Sequence, residues 1–561
     1  MILSGGNKMV FNLIYDKWMP VRRLNGDCEK IAPWEITDGA NSDNPIIEIA
    51  SSRADFDGTL TQFLIGLVQT TMSPQNKRVW RKLWNTPPTI DELKSMFNTV
   101  ATAFNFDGEG PRFMQDLTLK IEDCSEEKGR FLPSEQLLLD FRQSGSDQFS
   151  KSGIIKHVCN HCLATMLMSY QFNAPSGGRG YRVSIRGGGP LTIIIVGNSL
   201  WQTILLNVII RDVYNTNRYG NPEKTNSEDI FPWMAPTHTS ENNSVISLSD
   251  ANPCRVYWAM PSRIIFEQLK EKVSCTCDVC GELSTISVSS YHTTNYGETY
   301  SKKIANDTVY LWTHPLTYYR TIKKSRFPIL AKTDAMTYEN FPLFTFGYGE
   351  SREIALTISQ FNDIKHNQSQ DRDFFIREPR LWIFGYEFNR RVADCWRSRF
   401  IPLINIDNDF VETYEKTTVN MVRVVTHIAM NTQKYIKAAG LDLNGIKHTF
   451  FESTEREFYN MIYNLRDVIL SRSDMTDVKL NWLKYLQHKS LMLYDSACQF
   501  ESICNMSHHK SMESIISNRR KLFMNISKNS KTMYDKKNIG EILDLPIEEK
   551  LEVVRTKKGV D

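Results

Sequence analysis

Cys159-Asn160-His161-Cys162 and Cys277-Asp278-Val279-Cys280 are two Cys-x-x-Cys pairs lying more than a hundred residues apart. Thiolates are soft ligands, and two near-neighbour pairs supply a tetrahedral sulfur quartet for zinc, with metal–sulfur distances of about 2.3 Å. One structural metal at Cys159, Cys162, Cys277 and Cys280 would tie distant parts of a large domain together and close a long loop. Gly281, directly after Cys280, suits the tight turn of a knuckle. Cys275 is a rival ligand to Cys277, because the run reads Cys275-Thr276-Cys277. His161 reads as exposed or as a neighbour of the metal rather than a ligand. The competing readings are four buried free thiols, or a redox-active pair; no βαβ context surrounds either motif to favour the latter.

Between the pairs lies Ser176-Gly177-Gly178-Arg179-Gly180-Tyr181-Arg182, followed by Arg186-Gly187-Gly188-Gly189-Pro190. Glycine permits positive φ and close approach of a ligand to the backbone. The interspersed arginines offer donors for phosphate oxygens. A P-loop is excluded because the Gly-Lys-Ser/Thr ending is missing, and a dinucleotide fingerprint because the strand-turn-helix frame is absent. The segment reads either as a structural loop or as a thin backbone loop entering a nucleic-acid minor groove.

The bulk properties set wide bounds. At 561 residues, with 41% apolar and 23% charged side chains, the chain is expected to form two or more folded domains. The 67 basic and 64 acidic residues leave a net charge of +3, which argues against a nonspecific polycation. A basic surface inside a larger assembly stays open. The N-terminal residues lack a signal-peptide pattern, and no apolar run reaches membrane-spanning length. A cytoplasmic protein with no membrane partner is expected, and its 11 cysteines there suit metal binding better than disulfides.

Periodicity divides the chain. Phe11 to Tyr15 reads as a strand, and Leu60, Phe63, Leu64, Leu67 and Val68 form a helical stripe. Lys77, Arg78, Arg81 and Lys82 interleave with Trp80 and Trp84, as in a nucleic-acid contact or a solvated helix flank. Residues 153 to 172 read as a helix carrying the first cysteine pair, and Thr192 to Val196 as a strand. After about residue 405 prolines vanish until 546 and helical stripes dominate: Met421, Val424, Val425 and Ile428, then Phe458, Ile462, Leu465 and Ile469, then Trp482, Leu483 and Leu486. Thr454 and Glu457 have the spacing of a capping box. The expected architecture is α+β: a large mixed N-terminal domain over 1–405, a C-terminal four-helix bundle over 406–540 and a tail over 541–561. His-Glu-x-x-His and Gly-x-Ser-x-Gly are both missing, and the acidic residues form no paired metal site, so binding is favoured over catalysis.

Together these residues resemble the large subunit of the type I-E CRISPR surveillance complex, the CasA family of Cascade. Phe11-Asn-Leu-Ile-Tyr-Asp-Lys-Trp-Met-Pro-Val21, the block from Cys159 to Pro175, the glycine loop, Leu205-Leu-Asn-Val208, the second cysteine pair and Glu455-Arg-Glu-Phe-Tyr459 carry the likeness. The resemblance implies a subunit without catalysis of its own. It implies partners: guide RNA, other Cascade subunits, double-stranded target DNA, and a helicase-nuclease recruited after target binding. Ser176, Gly177, Gly178, Arg179 and Gly180 correspond to a loop facing the minor groove beside the target. Gly385-Tyr386-Glu387-Phe388-Asn389-Arg390 corresponds to a wedge hairpin, with Asn389 reading the groove. Arg390 stands where the family's archetype has glutamine. Lys302 and Lys303 are candidates for a further DNA contact. The loop from Gln143 to Ser152, with Gln143, Ser144, Gly145 and Ser146, corresponds to one that meets the guide's 5′ handle and the complex backbone. The alternative function is a zinc-stabilised protein–protein scaffold that reads no motif.

Overall fold

The structure is a computed structural model. It describes residues 11–121, 131–141, 153–175, 178, 180–267, 271–304, 307–322, 325–347, 352–366, 379–389, 392–441, 445–504, 509–534 and 536–546. Gln143 to Ser146, Ser176, Gly177, Arg179 and Arg390 lie outside the described residues, as does the side chain of Lys303. Two compact units emerge: residues 1–336 with 349–403, and residues 337–348 with 404–561.

The first unit is mixed α+β, and its sheets are small and antiparallel. Met19–Arg23 is the central strand between Cys28–Ile31 and Ile46–Ile49. Arg380–Asn389 is central between Val392–Pro402 and Thr192–Val196. Ala54–Met72 forms a helix buried on nearly all sides, so the single stripe read from sequence understates it. Phe63 on this helix packs edge-on to Trp18, Phe104 and Trp258, with ring centroids 5.9 to 6.0 Å apart. Gly66 faces Tyr257 so closely that an added β-carbon would stand 2.9 Å from its Cβ.

Phe11 to Tyr15 is not a strand. Asn12 makes an isolated bridge to Asn105, while its side chain accepts from the Ile14 amide at 2.8 Å and donates to the Ala101 carbonyl at 2.8 Å. An Asx-type turn therefore replaces strand pairing. The Trp80 and Trp84 rings stack 5.5 Å apart and are buried, and Trp80 Nε1 donates to the Leu205 carbonyl. The aromatic half of the basic cluster is therefore core. Lys77 is engaged with Asp363 at 2.7 Å.

The second unit is a helical bundle built from Val411–Ala438, Ile446–Leu470, Thr476–Cys504 and His509–Asn525. The three stripes read from sequence point inward, with Val424, Ile462 and Leu486 fully buried. Thr454 does not cap a helix, because that helix begins eight residues earlier at Ile446. Its hydroxyl bonds back to the Phe450 carbonyl at 2.8 Å, the usual resort of a mid-helix threonine. The segment 337–348, which the sequence reading placed within 1–405, packs with this bundle: Tyr338 stacks on Phe458 at 4.2 Å and Glu339 binds Lys447 at 2.7 Å. Ile542, Leu543 and Leu545 are buried, so packing extends past the expected start of the tail at 541. Among the described residues no helix is long and apolar enough to cross a membrane.

Candidate functional site

The four cysteines converge. Sγ atoms of Cys159, Cys162, Cys277 and Cys280 all lie within 4.8 Å of one another. Cys159 Sγ is 3.9 Å from Cys280 Sγ. A tetrahedron with arms of about 2.3 Å has edges of about 3.8 Å, so the spacing fits a bound cation and is far too wide for a disulfide. Cys159 caps the helix Asn160–Asn173, which starts seven residues later than the sequence reading placed it. Cys277 and Cys280 sit in the turn between the strands Glu271–Thr276 and Leu283–Ile286.

Backbone amides complete two knuckles. Cys162 N–H donates to Cys159 Sγ and Cys159 N–H to Cys277 Sγ, both at 3.4 Å. Gly281 takes φ +77° and its N–H donates to the Cys277 carbonyl at 2.8 Å. Asp278 locks the two halves together, its carboxylate accepting from the Lys156 and His157 amides at 2.7 and 2.8 Å. Mutual hydrogen bonding splits the four thiols: Cys277 is held far below the usual thiol range and Cys280 is lowered to about 7, while Cys159 and Cys162 are pushed far above it. A cation at the centre of the quartet would favour the thiolate form of all four. Cys275 is no rival: its Sγ donates to the Ser284 carbonyl at 3.7 Å, outside the quartet. Burial pushes the neighbouring His161 imidazole down to about 4.

The other end of the cysteine helix meets the glycine segment. Asn173, the last helical residue, accepts from Gly189 N–H at 3.3 Å, and Ala174 accepts from Ser184 N–H at 3.1 Å. At the near end Gly178 and Gly180 have φ of +112° and +86°, and the Gly180 carbonyl accepts from Tyr296 N–H at 2.7 Å. The arginines after the loop do not serve as free phosphate donors. Arg182 donates to Ser240 Oγ at 2.6 Å and to its carbonyl at 2.9 Å. Arg186 is buried and donates to Thr192 and Gln62. Composition alone could not reveal that Arg182 is engaged by Ser240 or that Arg186 is buried.

Gly187-Gly188-Gly189 is where two hairpins approach. A β-carbon on Gly189 (φ +69°) would overlap the Phe388 ring and stand 2.5 Å from the Tyr386 carbonyl oxygen. One on Gly385 would stand 2.5 Å from the Pro190 carbonyl oxygen. Tyr310, cross-strand partner of Ser301, would meet a Gly187 β-carbon at 3.2 Å. That contact brings the hairpin carrying exposed Lys302 beside the same segment. Asn389 is exposed at the end of its strand, paired with Val392.

Sequence reasoning missed the residues that seat the hairpin. Tyr386 OH donates to buried Asp55 at 2.6 Å, Arg53 bonds Asp55 and Asp140 at 2.9 Å each, and Arg397 bonds Glu387 at 2.6 Å. The Tyr386–Asp55 pair spans 331 positions and the Arg53–Asp140 pair 87, so neither leaves a local signal.

The sequence profile of the CRISPR-associated protein Cse1 family matches residues 12–493. The chain belongs to the Cse1 family. Members are non-catalytic subunits, and the chain has a Cse1-type role within a multisubunit CRISPR surveillance complex with RNA and DNA partners. Three solved Cse1 structures share the fold. CasA (Cse1) from Thermus thermophilus is 14% identical with a TM-score of 0.65, over 92% of this chain and 100% of that one. Cse1 from Thermobifida fusca is 16% identical with a TM-score of 0.65, over 92% and 98%. Cse1 from Acidimicrobium ferrooxidans is 14% identical with a TM-score of 0.64, over 93% and 99%. The helix His509–Asn525 follows the end of the matched family region.

Proposed function

We propose that this Cse1-family subunit reads the short protospacer-adjacent motif beside a target from the minor-groove side and promotes local opening of the duplex. In this reading Ser176 to Gly180 form the groove-facing loop, Asn389 reads base edges, and Arg390 enters beneath the terminal base pair. Arginine there both stacks and engages phosphate. Lys302 and Lys303 add backbone contacts, and Gln143, Ser144, Gly145 and Ser146 meet the guide RNA and neighbouring subunits. Zinc held by Cys159, Cys162, Cys277 and Cys280 braces the loop. A helicase-nuclease is recruited afterwards. A chain matching this one at 12% identity comes from a structure described as a CRISPR RNA-guided surveillance complex, which agrees with an RNA-guided setting.

The observation that carries the reading is the junction at Gly189: the segment following the glycine loop and the turn end of the Asn389 hairpin, at Tyr386 and Phe388, touch without room for a β-carbon. Two elements fixed to one another can present a loop and a tip to the same groove. The minor groove offers a degenerate code, so several related motifs are accepted, while guide pairing supplies the remaining specificity. The test is a binding screen of the reconstituted complex against duplexes randomised beside a fixed target. Enrichment of a short motif that Asn389→Ala blurs supports the reading. Uniform binding to all neighbours, with assembly intact, returns the chain to the scaffold role.

A further inference from the structure

The helix His509–Asn525 buries one side and leaves the other in water. Leu522 is fully buried, and Asn518 Nδ2 donates to the Ala438 carbonyl at 3.1 Å. On the outer side Met512, Ile516, Phe523 and Met524 are 52% to 63% exposed. At 3.6 residues per turn Met512, Ile516 and Phe523 share one face, with Arg519 between them. Arg519 is already bound to Asp495 on the helix Thr476–Cys504, at 2.6 and 2.7 Å. Arg520 and Glu513 flank the stripe on one side, and both are exposed. Contiguous apolar surface of this kind marks a contact site.

The end of the chain carries the matching pattern. Ile542, Leu543 and Leu545 are buried, and the Pro546 carbonyl then accepts from Lys528 Nζ at 2.5 Å. Lys528 stands three residues beyond the helix end at Asn525, so residue 547 starts near the Phe523 end of the stripe. From there the sequence reads Ile547-Glu-Glu-Lys-Leu551-Glu-Val-Val554-Arg555. Pro546 followed by Glu548 and Glu549 is a helix-start pattern. In a helix Ile547, Leu551 and Val554 share one face, and Glu548, Glu552 and Arg555 flank it on one side. Ile547 and Val554 are seven positions apart, as are Ile516 and Phe523.

Charge sets the direction. Running antiparallel from the Phe523 end, such a helix brings Glu548 and Glu552 to either side of Arg520, and Arg555 toward Glu513. A parallel course would set Glu548 against Glu513. Flanking charges choose the orientation of paired helices in this way. A nucleic-acid phosphate would satisfy Arg520 but leave Met512 and Ile516 in water. The tether through Pro546 makes docking intramolecular, which supports a helix too short to be stable alone.

We propose that residues 547–555 dock as an amphipathic helix antiparallel to His509–Asn525, covering Ile516 and Phe523 and pairing Glu548 and Glu552 with Arg520. The tail is a cover carried by the chain itself for an apolar face that lies beyond the region matched to the Cse1 family. With the cover in place, one subunit cannot associate with another through that face.

Photo-cross-linking of the full chain tests this. Benzoylphenylalanine in place of Leu551 should link, within one chain, to residues between Ile516 and Phe523, as read by peptide mapping. Arg520→Glu should lower the yield roughly three- to tenfold, and adding Glu548→Lys with Glu552→Lys should restore it. Ile516→Ser with Phe523→Ser changes only exposed side chains, so the unit folds, and the yield should fall again. A link to any other element, or a yield indifferent to Arg520→Glu, overturns the proposal. A link joining two chains also overturns it and gives the face to a second copy.

Discussion

Gly189 lies against Phe388 with no space for a β-carbon between them. The contact joins two stretches nearly two hundred residues apart in sequence, and it makes glycine obligatory twice over: φ is +69° and the neighbouring ring leaves no room. Gly189→Ala should cost about 2–4 kcal/mol, summing left-handed strain and overpacking. Urea unfolding measures the loss. Gly26, also at positive φ but facing open space, is the control and should cost less on substitution by alanine.

Metal content separates the two cysteine assignments. Protein purified without chelator should carry about one zinc per chain. Cys275→Ser should leave that content unchanged, and Cys277→Ser should abolish it. Chelation should strip hydrogen-exchange protection from the helix Asn160–Asn173, because one end of it is held by the ligands. Acidification should release the metal in the same way, since protons compete for the thiolates.

Asn389→Ala should weaken binding of the assembled complex to motif-bearing duplex by about 1–3 kcal/mol, and to motif-free duplex much less. Equal losses on both would remove Asn389 from base reading. Arg390→Ala should reduce base reactivity beside the motif while leaving closed-duplex binding largely intact; unchanged opening would discard the wedge.

Asp57 gives the first unit a measurable pH dependence. Burial pushes its carboxyl up to about 6, against two hydrogen bonds of 2.7 Å from Ser51. A carboxyl whose pKa is raised on folding holds its proton more tightly in the native state. Its contribution to stability therefore falls as pH rises from about 4 to about 6 and then levels off. Asp57→Asn keeps an oxygen acceptor for Ser51, so it should flatten that slope and raise stability near pH 7 by on the order of 1 kcal/mol. Urea midpoints at about pH 4 and about pH 7 report both effects.

Tyr338 packs on the bundle through a 4.2 Å stack on Phe458 and a 2.6 Å hydrogen bond to Thr454. Tyr338→Ala should destabilise the helical unit by about 3–5 kcal/mol. A bundle fragment beginning at 404 should bind a hydrophobic dye that a fragment retaining 337–348 excludes.

The thiols were legible because ligand chemistry depends on residue type and spacing, both of which a sequence states outright. The bundle stripes were legible for a related reason, since a repeat near 3.6 residues survives in any context. Arg186 was misread because nothing in Arg-Gly-Gly-Gly-Pro says that its guanidinium turns inward to Gln62. Thr454 was misread because a capping box and a back-bonding mid-helix threonine share the same letters. The choice between Cys275 and Cys277 waited on the geometry of the turn. The Tyr338 and Asp55 contacts were illegible altogether, since each joins groups more than a hundred positions apart.

The 118 positions between Cys159 and Cys277 also set a clock. At a synthesis rate of roughly 5–20 residues per second, the first pair leaves the ribosome roughly 6 to 24 s before the second. During that interval Cys159 and Cys162 form half a site, with two reduced thiols and no tetrahedral partner. If the quartet holds the proposed zinc, metal loading is a late event in the birth of each chain. On that proposal, a shortage of zinc or oxidative stress would strike this subunit while it is still being translated rather than after it has joined its complex.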